Sequence, residues 1–265
     1  MPGGWPFGDD VCNAQSFGVF ISASSPTNVT GGASAHQKGA WAQVGGLAVY
    51  DASLLLLQVI STAATRASIM DLGVGVSSGA VKVLVSNINL YAATIEGPIN
   101  LLFPVDVPAG QGIWVRLQSA TAADAAHYVQ CQAFSGGLTQ RAGTAGADGI
   151  GAVLSTSLGT TVTAGGTANQ KGAYVQLSAA TAADYYGFYL FASSITAANI
   201  LVDVAVGAAG SEVLLIGNFY LPGSTVQTAY VFLPIAVKAG SRLAARSASA
   251  TLSATCYVTL IGLYR

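Results

Sequence analysis

The chain has 265 residues, of which 8% are charged, ten Lys and Arg against eleven Asp and Glu, while 52% are hydrophobic and 32 are glycine. Average usage is about a quarter charged, so the polar surface falls to Ser, Thr, Asn and Gln. A formal net charge of -1 without any Lys or Arg run lacks the footprint of nucleic-acid binding, and no run of about 18 to 20 apolar residues exists to span a membrane as a helix.

Residues 1–13 open with Met-Pro-Gly-Gly-Trp5-Pro-Phe7-Gly-Asp-Asp, too rich in Pro and Gly for a helix. They lack the basic and apolar regions of a secretory signal, so synthesis in the cytoplasm without signal-peptide export is expected. Trp5 and Phe7 are large aromatics that a monomer has little reason to expose, which makes the segment a candidate arm docking on a neighbouring subunit.

From Ala14 to Gly136 the chain reads as one domain. His36-Gln-Lys-Gly-Ala-Trp41 leads to Ala52-Ser-Leu-Leu-Leu-Leu-Gln58, then to an apolar strand carrying Asp71. Gly75-Val76-Ser77-Ser78-Gly79 has the letters of a nucleophile elbow, but that motif needs a strand, a sharp turn and a helix, and Val81-Lys-Val-Leu-Val85 reads as another strand. A hairpin turn is the expectation there. Pro104-Val-Asp-Val-Pro-Ala-Gly110 follows; proline has no N–H for a ladder, so Pro104 belongs at a strand start or edge. Val115, Leu117 and Ser119 alternate with Arg116 and Gln118, and His127 sits at a strand end.

Residues 137–151, rich in Gly, Ala and Thr, read as a flexible connector. Ala152 to Arg265 then repeats the first domain in order. Asn169-Gln-Lys-Gly-Ala-Tyr174 matches His36 to Trp41 at an offset of 133, Asp203 and Gly207 match Asp71 and Gly75 at 132, and Leu214 to Asn218 match Val83 to Asn87 at 131. Pro234, Ala239-Gly240 and Arg246 match Pro104, Ala109-Gly110 and Arg116 at 130, and Tyr257-Val258 match Tyr128-Val129 at 129. An offset falling by single residues means duplication with small loop deletions.

Ile200, Val202, Val204 and Val206 alternate with Leu201, Asp203, Ala205 and Gly207, and turn residues recur every 8 to 12 positions. The chain is therefore expected to be all-β, two tandem jelly-roll or Greek-key β-sandwich domains of roughly eight strands each behind an N-terminal arm. An isolated carboxylate inside an apolar strand is costly to bury. Asp71 with Arg116, and Asp203 with Arg246, are thus expected as structural ion pairs, since the planar guanidinium suits a carboxylate; a separation above about 8 Å would sink the pairing. Tyr185-Tyr-Gly-Phe-Tyr-Leu-Phe191 is a dense aromatic strand. Period two puts Tyr186, Phe188 and Leu190 on one face and Tyr185, Tyr189 and Phe191 on the other, the second set being a candidate subunit contact or a platform for sugar rings.

No catalytic, metal or cofactor site emerges. His36 and His127 have Asn169 and Cys256 at the repeated positions, and the Asp and Glu spacing around them suggests no metal or triad site; His36 reads as a solvent-facing polar residue. Cys12, Cys131 and Cys256 are odd in number and far apart, and read as small buried apolar residues.

The order Gln-Lys-Gly-Ala-aromatic, an Asp-bearing strand ending Val-Gly-x-x-Gly, an aliphatic run closing on Asn, and Pro-x-x-Val-x-Ala-Gly-x-x-Leu-x-x-Arg resembles β-sandwich structural proteins of tailed bacteriophage virions. The match is fullest in Val206 to Asn218 and Pro234 to Arg246, and weaker in the first half, where Gly112 replaces the first arginine of the Arg242-x-x-x-Arg246 pair. The resemblance implies a non-enzymatic virion component. A compact chain without a fibrous repeat suits a capsid decoration or cement protein, self-associating as a homotrimer and attaching to the major capsid protein or another virion protein. The alternative is a head-spike or tail-fibre protein binding a receptor or host surface glycan.

Overall fold

The computed structural model describes residues 14–18, 26–61, 67–90, 99–125, 127–135, 146–194, 198–223 and 228–264. The arm with Trp5 and Phe7, Cys12 and residues 137–145 of the connector lie outside them. The first half contributes β1 (Ala14–Phe17), β2 (Thr27–Val29), β3 (Ala42–Leu47), β4 (Leu54–Ser61), β5 (Ser68–Gly75), β6 (Lys82–Asn89), β7 (Ile99–Phe103), β8 (Gly112–Ser119) and β9 (His127–Phe134). The second contributes β10 (Gly146–Ile150), β11 (Ala152–Val153), β12 (Leu158–Thr163), β13 (Val175–Ser178), β14 (Tyr185–Ser194), β15 (Ile200–Val206), β16 (Val213–Leu221), β17 (Thr228–Leu233), β18 (Leu243–Ser249) and β19 (Thr255–Tyr264). Among the described residues the one helical turn is the 3-10 turn Ser78–Ala80, and no helix is long and apolar enough to cross a membrane.

In the first half, β1 and β2 both pair with β9, and the order continues β9-β4-β7; the facing strands run β3-β8-β5-β6. The second half repeats the plan, with β12 and β10 on β19, then β14 and β17, facing β13-β18-β15-β16. Each half is a β-sandwich with jelly-roll strand order. Inward residues at period two fill each core: Leu55, Leu57 and Val59 of β4 face Met70, Leu72 and Val115 in the first, and Phe188, Leu190 and Val258 face Val202, Val204 and Leu243 in the second. Each such side chain contributes about 1.5–3 kcal/mol by leaving water.

Two features depart from the sequence expectation. Gly146–Ile150, read from composition as connector, is strand β10: it pairs antiparallel with β19 and parallel with β6, and so joins sheets of the two sandwiches edge to edge. Composition signals chain flexibility, whereas a strand held from both sides by backbone hydrogen bonds needs only small side chains and room. The aromatic strand also breaks period two. A register shift between Tyr185 and Gly187 places Tyr185 with Phe188 and Leu190 in the second core, and Tyr189 and Phe191 in the first, with Tyr186 packed against that same cluster. An extra residue in a bulge turns over the side chains preceding it.

Candidate functional site

The repeated residues converge on one point in each sandwich. Asp71, 1% exposed, lies on β5, and Asp203, 2% exposed, on β15. Arg116 on the neighbouring β8 donates from Nε to Asp71 at 2.8 Å, and Arg246 on β18 donates to Asp203 at 2.9 Å. Both pairs are directly opposed in register. Lys38 Nζ adds a bond to Asp71 at 2.5 Å and one to Asn87 Oδ1 at 3.0 Å; Lys171 does the same to Asp203 at 2.6 Å and to Asn218 Oδ1 at 2.7 Å.

Local backbone irregularity completes the arrangement. The ladders β5–β6 and β15–β16 shift register beside each aspartate, and Asn87 and Asn218 take left-handed φ of 55° and 59°, a conformation asparagine tolerates. Their amides thereby donate to Asp71 at 2.9 Å and Asp203 at 2.8 Å. Burial pushes the Asp203 carboxyl up, and the bonds from Lys171, the Asn218 amide and Arg246 more than offset it, so it titrates below the usual carboxylate range. Each carboxylate thus accepts from three donors, a lysine, an arginine and a backbone amide.

The Gln-Lys-Gly-Ala-aromatic segment now has a physical reading. Its Lys bonds the aspartate; its aromatic, Trp41 or Tyr174, lies under the Arg116 or Arg246 guanidinium at 4.5 Å in both halves; and a Cβ on its glycine, Gly39 or Gly172, would overlap the carbonyl oxygen of Thr30 or Thr163. The Gly112 departure is compensated locally. Arg242 Nη1 donates to the Gly207 carbonyl at 3.1 Å, and in the first half the Trp114 indole donates to the Gly75 carbonyl at 2.8 Å. A Cβ at Gly112 would meet the Gln43 side-chain nitrogen at 2.8 Å and that indole nitrogen at 3.1 Å, so glycine there leaves room for both side chains.

Sequence reasoning named the aspartates and arginines and missed Lys38, Lys171, Asn87 and Asn218 as their partners. The signal was present, because all four fall inside the repeated segments; what was lacking was the reach of a lysine and the turn of a left-handed asparagine.

Tyr185, Tyr189 and Phe191, expected as a subunit contact or a sugar platform, are instead buried inside the chain at 3%, 9% and 1% exposure. Tyr189 stands edge-on to Phe103 with ring centroids 5.5 Å apart and donates its hydroxyl to the Leu102 carbonyl; Tyr230 donates to the Asn100 carbonyl at 2.6 Å. They are the seam between the sandwiches. Tyr185 donates to Asp148 of β10 at 2.9 Å. His36, expected to face solvent, is half-buried with Nδ1 3.0 Å from Ser157 of the second half, because the turn after β11 folds back over it.

Ser77 precedes the 3-10 turn between two antiparallel strands, a strand–turn–strand setting without the helix a nucleophile elbow requires. Among the described residues no group of three or more His, Cys, Asp or Glu side chains is placed to hold a metal. Cys131 and Cys256 are buried, and desolvation pushes the Cys256 thiol up to about 12.

No protein-family model matches the sequence, and no curated protein matches it. Solved structures similar to the chain include PNGF-II, 9% identical with a TM-score of 0.39, over 95% of this chain and 65% of that one. Others are the infectious bursal disease virus Gt strain, 10% identical with a TM-score of 0.28 over 100% and 74%, and the VP2 subviral particle of infectious bursal disease virus, 10% identical with a TM-score of 0.26 over 98% and 73%. This chain spans just under two thirds of the PNGF-II chain's length. Two of these three are viral, none is a tailed-phage protein, and similarity at this level places the chain in no family.

Proposed function

We propose that the chain is a non-enzymatic structural protein of a bacteriophage particle, two copies of one jelly-roll unit acting as a rigid block. In this reading it is a capsid decoration or cement component that self-associates as a homotrimer and attaches to the major capsid protein or another virion protein. It needs no cofactor and binds neither nucleic acid nor membrane. The observation that carries the reading is the use made of the repeated polar residues. Lys, Asp, Arg and Asn, the groups from which an active site would be built, are spent on holding strands together in both halves, while the outside displays Val213, Leu214, Tyr220 and Leu252 at 49–65% exposure. Large apolar surface residues on a chain with so few charges fit a protein that is covered by neighbours.

A second reading, receptor or glycan binding on a spike or fibre, is favoured by the half-open cleft where Tyr220 lies beside Asn169, Asn199 and Ser249, an aromatic face next to polar groups. Quantitative mass spectrometry of purified particles tests both. Hundreds of copies per particle support cement, a few to some tens with binding to host glycans support the spike, and absence from the particle refutes both.

A further inference from the structure

β6 and β16 hold the same place in their sandwiches, each at the edge of its sheet beyond β5 or β15, and they differ in what lies beyond them. β10 covers β6: Ala147 stands opposite Val85, the Gly149 amide donates to Ser86 Oγ at 3.1 Å, and a Cβ on Gly149 would overlap the Ser86 carbonyl. Among the described residues no strand covers β16. Position by position, Leu84, Val85, Ile88 and Asn89 are buried, whereas Leu215, Ile216 and Phe219 are half-buried and Tyr220 is exposed. Composition runs the opposite way, since Val213 and Tyr220 stand where β6 has Lys82 and Asn89. The more exposed edge is the more apolar, with Val213 at 65% and Leu214 at 49% exposure. A long apolar edge strand is a template for pairing with another chain.

The covering strand also has a counterpart. β1 lies on β9 with Ala14 opposite Phe134, as β10 lies on β19 with Ala147 opposite Leu263. Each leads into a left-handed glycine, Gly18 at φ 70° and Gly151 at φ 77°. The outer edge of β10 is taken by β6, while that of β1 has no partner strand among the described residues.

We propose that β1 of a second copy covers β16, parallel to it, with Ala14 opposite Ile216, so that the β6–β10 seam within one chain is repeated between chains. This deepens the self-association reading above and rests on it. Gly217, at the position of Ser86, fits such an approach. Its φ is not left-handed, and a Cβ there meets only ordinary contacts at 3.7 Å, so nothing among the described residues of its own chain calls for glycine. At the seam within the chain a serine on the edge strand meets Gly149; between chains Gly217 on the edge strand meets Ser16. The contact is heterologous, each copy giving one edge and receiving another, and such contacts close into rings or run on as filaments. In the homotrimer proposed above, three such contacts would close a ring of six sandwiches.

The test uses the full chain at micromolar concentration. Wild type is expected to sediment as a closed oligomer. The surface variant Gly217→Lys/Tyr220→Lys, at positions that face β1 in this register and have room for a side chain within their own sandwich, is expected to sediment as a single chain that still unfolds cooperatively, without the stability that association adds. Ala14→Cys/Ile216→Cys in a Cys12→Ser background is expected to give intermolecular disulfide-linked oligomers on oxidation, and neither single-cysteine variant is expected to give more than dimers. A wild-type oligomer that survives both lysines, with no ladder from the cysteine pair, overturns the β1–β16 contact and leaves self-association standing. A monomeric wild type overturns both.

Discussion

Replacing Asp203 by alanine tests whether each buried cluster is organised by its carboxylate. The substitution removes the acceptor of bonds from Lys171, Arg246 and the Asn218 amide at 2.6, 2.9 and 2.8 Å. A bond to a charged group contributes about 1.5–3 kcal/mol, but the two cationic side chains are 25% and 30% exposed, so water screens them once they lose their anion. Removing one partner of a buried ion pair costs about 3–5 kcal/mol, and this exposure puts the expectation at the lower end, about 3 kcal/mol. Arg246→Met leaves Lys171 on the carboxylate and loses one bond and the stacking on Tyr174, about 1–2 kcal/mol. Urea unfolding of the two variants in parallel reads both values. The reasoning is refuted if Arg246→Met costs more than Asp203→Ala, because the carboxylate would then not be the hub.

Three further outcomes follow from the same geometry. The Asp203 carboxyl titrates below its unfolded value of about 3.9, so its stabilisation is complete above that pH and is lost as the pH falls through the lower folded value. The stability difference between wild type and Asp203→Ala should therefore be constant from pH 7 to about 4 and shrink below, in thermal unfolding across that range. Gly39→Ala and Gly172→Ala force a backbone shift and should each cost about 1–3 kcal/mol, whereas Gly166→Ala, with nothing within 4 Å of the new Cβ, should stay within about 0.5 kcal/mol. Tyr189→Ala at the seam should lower stability by about 3–5 kcal/mol and the exposed Tyr220→Ala by far less, as read by calorimetry.

The layout of the fold was legible because it rests on local signals. Period two in Ile200–Val206 and the turn residues between strands mark the sandwich, and repeated segments mark equal positions in the two halves. The pairing of Asp71 with Arg116 was legible for the same reason, since a charge in an apolar strand demands an opposite one. What escaped depends on contacts distant in sequence or on single-residue irregularities. β10 is a strand only because β6 and β19 stand on either side of it, and nothing in Gly-Ala-Asp-Gly-Ile announces that. The bulge that moves Tyr185 to the other face leaves no mark on an otherwise regular aromatic run. The asparagines were visible as repeats, but their left-handed backbone, which aims the amide at the carboxylate, is a property of the folded ladder.

The aromatic strand β14 has one further consequence. With Phe188 and Leu190 in the second core and Tyr189 and Phe191 in the first, it is a partition wall with no outside. A strand in such a wall has no face on which charge is useful, and the β19 residues Ile261 and Leu263 share that condition. Part of the chain's mean hydropathy of +0.56 is thus a matter of plan, since two rooms that share a wall need less facing than two that stand apart. It also means that neither half is a finished object: produced alone, the second sandwich would turn Tyr189, Phe191, Ile261 and Leu263 to water, and the first would lose one side of its core.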